Sequence, residues 1–171
     1  MQLPTHLVAA VAIDKFVQKS QLPTSIKPLV VACACFISHG ILDKMAKATY
    51  HPPDPIDDRF WKDYHQLVLP NITWLVLGNY GPKHLGAMIF SALPDLDWVV
   101  RDLTRRYGWH IPGWDKPVLN EGLHQVLNKV PVVNQLNRLP DWRFQRKGVL
   151  VELGLVTALL LVIQFLDRKK T

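Results

Sequence analysis

Glutamate is almost missing from this 171-residue chain, where only Glu121 and Glu152 accompany a large set of aspartates. Glutamate is the ordinary solubilising acid of exposed helix faces, so its scarcity means that several aspartates have specific positions to fill. Cysteine is scarce too. Cys33 and Cys35 are the whole supply, which excludes a disulfide framework; on a helix they project about 200° apart and cannot bridge. Charged residues make up only 20% against 49% hydrophobic, which excludes a disordered chain. A mean hydropathy of +0.06 argues against a chain that is membrane-spanning throughout. No stretch alternates polar and apolar residues between hairpin turns, so strands are not expected. There is no phosphate-cradling glycine loop, no serine in a nucleophile-elbow context, and no internal repeat. No basic residue precedes the apolar run Leu7–Ile13, and Asp14 interrupts it; a cleaved signal peptide is not expected.

What is present is a series of apolar segments with helical punctuation. Pro4 and Thr5 suit the first turn of a helix that runs on through Val17. Leu29 to Leu42 follows Pro28 and continues amphipathically through Asp43, Lys44 and Lys47; it is shorter than the roughly twenty apolar residues of a full span, so a buried or partly immersed helix is expected there. The proline-rich acidic stretch His51–Asp58 stops any helix. Phe60 to Leu77 reads as a helix kinked near Pro70, Asn79–Pro82 as a turn, Lys83 to Tyr107 as a helix with Pro94 in its middle, and Asn120 to Lys129 as a short helix. Gly148 to Leu166 has Glu152 as its only ionisable member, is flanked by Arg143, Arg146 and Lys147 at one end and by Arg168, Lys169 and Lys170 at the other, and has the length to cross a hydrocarbon core. The expected fold is all-α: a compact helical bundle, partly membrane-embedded, with a C-terminal transmembrane helix. A helical domain over 1–140 and a basic-flanked anchor over 141–171 are the expected divisions.

Ionisable groups inside apolar sequence are costly unless paired or bound to a cation. They occur at His6, at His39 with Asp43, at Asp95 with Asp97, at His124 and at Glu152. His39 and Asp43, four apart on a helix, share a face and can reach one cation, or simply hydrogen-bond to each other. Asp95 and Asp97 diverge on a continuous helix, but Pro94 loosens the turn before them and lets both carboxylates converge; helix capping is the alternative. Glu152 can pair with a base, snorkel to the interface or act as a ligand. Asn128, four residues after His124, stands where a second histidine would suit a metal site.

Thr5–His6, Ser38-His39-Gly40-Ile41-Leu42-Asp43, Leu93-Pro94-Asp95-Leu96-Asp97 and Leu123–His124 together resemble the bacterial membrane-bound, metal-dependent hydrolase family, with a more distant likeness to zinc-dependent phospholipase C. The resemblance implies a divalent metal, zinc by expectation, held by His6, His39, Asp43, Asp95 and His124, with Asp97 as the catalytic proton acceptor. It implies hydrolysis of a phosphoester or lipid-like substrate at a bacterial inner membrane, with membrane lipid as partner. A small helical accessory subunit, partnered by other membrane protein subunits, is the competing expectation. Nucleic acid is not an expected partner despite a pI near 9.4, because the basic residues are scattered at helix ends rather than aligned with stacking aromatics.

Overall fold

The computed structural model describes residues 1–52, 55–108 and 118–168, and every element among them is helical. The first helix, α1 (Leu3–Lys19), begins with Pro4 in its first turn after an extended Gln2. Its Leu7, Val8, Ala10, Val11 and Val17 are all buried. A helix apolar on every side belongs in the middle of a bundle, and α1 lies there, packed by α2 (Lys27–Met45), α4 (Leu69–Ala92) and α8 (Gly148–Arg168). Val31 and Cys35 of α2, Val76, Ala87 and Met88 of α4, and Ile163 of α8 close one core around it. Both cysteines are free, Cys35 buried and Cys33 exposed.

The expected turn at Asn79–Pro82 is not formed. Those residues lie inside α4, which runs through Pro82 without ending. The proline removes one backbone donor and its hydrogen bond to Gly78, and burial of Val76, Gly81, Ala87 and Met88 outweighs that loss. The irregularity expected at Pro70 appears just before it: α3 (Arg59–Lys62) passes into a π-helical turn, Asp63–Val68, and α4 follows directly. A widened turn leaves the carbonyls ahead of the proline ring out of its way. The break at Pro94 is real, because α4 stops at Ala92, Leu93–Asp95 forms one 3-10 turn and α5 (Leu96–Tyr107) starts in a new direction set by it.

With its following 3-10 turn, α2 reaches 22 residues over Lys27–Ala48, and α8 has 21. These two helices are long and apolar enough to cross a membrane. On α8, Leu150, Leu161 and Phe165 are exposed while Ile163 and Leu166 face the bundle. The remaining elements, α6 (Val118–Asn128), α7 (Pro131–Asn134) and the 3-10 turn Gln135–Arg138, cover the C-terminal end of α2.

Glu152 takes none of the three roles expected of it. Its Oε1 accepts the Gln2 backbone N–H at 3.0 Å and the Thr5 hydroxyl at 2.7 Å, and its Oε2 accepts from the Tyr64 hydroxyl at 3.3 Å. The carboxylate therefore caps α1, whose own Gln2 side chain gives no cap. Gly148 starts α8 where a Cβ would stand 2.4 Å from the Tyr50 backbone nitrogen; only glycine lets α8 approach that closely.

Candidate metal centre

Five of the sequence-selected residues meet at one place, although they come from α1, α2, the 3-10 turn after α4, and α6. His6 Nε2 lies 3.2 Å from Asp43 Oδ1, and His39 Nε2 lies 3.0 Å from Asp43 Oδ2 and 3.4 Å from Asp95 Oδ1. His124 Nε2 is 3.7 Å from Asp43 Oδ2. The rings of His6 and His39 stack with centroids 4.1 Å apart. Ligand atoms of His6, His39 and Asp43 all fall within 4.8 Å of one another. Around a tetrahedral ion with bonds of about 2.1 Å, neighbouring ligand atoms sit about 3.4 Å apart, and the four His–Asp separations straddle that value.

The local folding explains the convergence. The i,i+4 spacing puts His39 and Asp43 on one face of α2, as expected. Pro94 ends α4 and turns Asp95 back toward that face. Gly40 lets α6 come close: a Cβ there would meet Leu127 Cδ1 at 2.5 Å and Leu123 Cδ2 at 2.9 Å, and the close approach carries His124 to Asp43.

The protonation of His39 is fixed by one neighbour. Its Nδ1 is 2.7 Å from the Ser91 carbonyl oxygen, which can only accept, so Nδ1 carries the proton. In the neutral ring Nε2 then has a lone pair, and it faces two carboxylates at 3.0 and 3.4 Å. Nε2 of His39 and both ring nitrogens of His6 are buried without a hydrogen-bond partner among the described residues. The short separations from Asp43 are thus close approaches that are poorly aligned for hydrogen bonds, the arrangement of atoms aimed at a common point between them. An imidazole whose other nitrogen donates to a backbone carbonyl is also the usual posture of a metal-ligating histidine. The donor set of neutral imidazoles and carboxylates fits a divalent ion of the zinc type. The Met1 ammonium lies on the same carboxylate, 2.8 Å from Asp43 Oδ1.

Asp97 makes no ion pair with this group among the described residues: it is buried, its Oδ2 accepts the Asn120 backbone N–H at 2.7 Å in the first turn of α6, and its Oδ1 has no hydrogen-bond partner among the described residues. Asp95, in contrast, is 43% exposed and lines the adjoining cavity. That cavity, about 880 Å³, is lined by Asp43, Asp95 and His124 together with Lys44, Lys47 and Arg143. Sequence reasoning missed these three basic residues; Lys44 stands in the spacing of an ordinary solvated lysine. It also missed His51, whose Nδ1 accepts from the Gln2 side-chain amide at 3.0 Å; the same amide meets His65 Nε2 at 3.2 Å. Burial, the largest influence, lowers His51 from an ordinary 6.5 to about 4 and lowers His65 as well. At the far end of α1, Asp14 pairs with His84 Nδ1 at 2.7 Å, a separate contact between α1 and α4. His110, Trp109 and Trp114 lie outside the described residues.

Comparison with protein-family models, with curated proteins and with solved structures gives no match to this chain.

Proposed function

We propose that this protein is a membrane-embedded, metal-dependent hydrolase of the bacterial inner membrane, acting on a phosphoester or lipid-like substrate. The observation that carries the reading is His39: its Nδ1 proton is committed to the Ser91 carbonyl and its Nε2 is turned toward two carboxylates. His6, His39 and Asp43 would hold the ion, with His124 and Asp95 at its open side toward the cavity. A bound divalent cation of the zinc type supplies Lewis acidity, toward water and toward a phosphoryl oxygen. The chain's own part is to hold these groups rigid and to accept a proton. Asp95 would be the group for that in place of the expected Asp97, because its carboxylate reaches both the cluster and the cavity, whereas Asp97 Oδ2 accepts from Asn120. The exposed apolar faces of α8 support embedding in lipid.

The accessory-subunit reading has one observation in its favour. A His39 ring protonated at both nitrogens would donate to Ser91 and pair as a cation with Asp43 and Asp95, with no ion at all. Metal content of the purified full chain separates the two. Stoichiometric zinc or manganese, lost in Asp43→Asn with the helical circular dichroism kept, supports the hydrolase. A folded, metal-free wild type, or metal content unchanged in both Asp43→Asn and His39→Ala, overturns it.

A further inference from the structure

Lys44 follows Asp43 in α2, yet it does not point to bulk water: it is 8% exposed. A lysine so buried is ordinarily matched by a carboxylate. Here Nζ donates to the side-chain oxygens of Asn128 on α6 and, at 3.3 Å, Asn137 in the 3-10 turn after α7. Neither is charged. Two amide oxygens aim the ammonium without cancelling it, and the last of its three protons has no acceptor among the described residues. Asn128, the position where a second histidine would have suited a metal, is instead the residue that holds this lysine.

Lys47, on the same cavity, donates from its ammonium to the Asn137 carbonyl at 3.5 Å and lies close enough to Asp141 to act on its charge. Arg143 has a carboxylate of its own, Asp141, at 2.7 Å, and the Met1 ammonium has Asp43 at 2.8 Å. Two backbone hydrogen bonds, from Trp142 to the Lys47 carbonyl and from His51 to the Arg143 carbonyl, fix that segment against the end of α2. The carboxylates of Asp43 and Asp95 are engaged already, Asp43 by the Met1 ammonium and the histidines and Asp95 by His39.

We propose that this cavity binds a phosphate-type anion and that Lys44 is the residue that recognises it. A phosphate presents several oxygens in different directions, so one can meet Lys44 and another Lys47 while a third faces the histidine–aspartate cluster. A flat carboxylate, with two oxygens, cannot meet three groups in this way. The inference deepens the hydrolase reading, on which it rests for the chemistry at the cluster, but its own residues are separate from the proposed ligands.

The test uses the full chain in zwitterionic-lipid nanodiscs, equilibrium dialysis against radiolabelled inorganic phosphate, and metal content measured on the same samples. Saturable binding is expected, weakened about tenfold or more in Lys44→Gln, as for loss of one charged hydrogen bond. Asn128→Asp keeps the side-chain shape and supplies the missing carboxylate; it should weaken binding similarly, and it keeps the test decisive if Lys44→Gln fails to fold. Adding phosphatidic acid to the nanodiscs separates the sources: displacement of the labelled phosphate identifies a lipid headgroup, and retention identifies a soluble phosphate ester, either with Lys44 as the recognising residue. No binding by the wild type, or binding unchanged in both variants, overturns the proposal. Normal metal content with that result leaves the hydrolase reading standing. Lys44-dependent phosphate binding by a metal-free protein does the reverse.

Discussion

The hydroxyl of Thr5 donates to Glu152 across 147 positions of sequence, at 2.7 Å and out of solvent. Glu152 thereby serves the start of α1 from the opposite end of the chain. Replacing it by leucine leaves the Gln2 N–H and the Thr5 and Tyr64 hydroxyls without their acceptor. Each buried donor so stranded costs about 1–3 kcal/mol. Glu152→Leu should therefore lower the thermal midpoint in detergent markedly, while Glu152→Gln, which keeps one acceptor oxygen, should lower it less.

Truncation after residue 147 should not release a folded soluble domain. Ile163 lies in the same core as Val8 and Val11, and the cut also removes the cap of α1. Limited proteolysis of the shortened chain should show α1 cleaved early; a protease-resistant fragment spanning residues 1–107 would contradict this.

Asp97→Asn should leave metal content unchanged, since its carboxylate meets Asn120 rather than the cluster. The amide keeps an acceptor oxygen for the Asn120 N–H but gives up the charge at the start of α6, a loss of about 0.3–1 kcal/mol. Equal metal content with slightly faster amide exchange in α6 is the expected pair of results.

Gly40→Val should push α6 from α2, because even a bare Cβ would lie 2.5 Å from Leu127 Cδ1. The immediate loss is the approach of His124 to Asp43. Overpacking of this kind costs about 1–3 kcal/mol, and metal affinity should fall although no proposed ligand has been altered. Gly40→Ala, which the flexible Leu127 tip can partly accommodate, should fall between.

Acid should weaken the N-terminal end of the bundle. His51 titrates near 4 in the folded protein against an ordinary 6.5, so below pH 6.5 the unfolded chain binds a proton that the folded one refuses. Stability is fully present above pH 6.5 and declines until about pH 4, with His65, also lowered, adding in the same direction. Replacing His51 by asparagine should flatten this slope of the melting temperature with pH.

The helices were legible where apolar runs and capping residues agreed, as at Pro4 and Gly148, whereas Lys83–Tyr107, read as one helix through Pro94, is two. Asn79–Pro82 misled because its turn chemistry is local, whereas the packing of Val76 and Met88 against α1 is not. The cluster was legible for the same reason that it is expensive: His6, His39, Asp43, Asp95 and His124 stand out against apolar neighbours. Asp97 stood out equally, and only the path of the chain after Pro94 separates it from Asp95. Lys44 was illegible, since a lysine three before Lys47 looks solvated until Asn128 and Asn137 are seen around it.

The central place of α1 has a consequence for biosynthesis. It is made well before α8, yet its sheath is complete only when α8 has been made too. Contacts of such high sequence separation slow folding, and for that interval His6, Thr5 and Asp14 stand on an apolar rod with no partners from later helices. The nascent chain therefore depends on whatever shields that rod until α8 is made, and a pause in translation before residue 148 would leave α1 open to degradation.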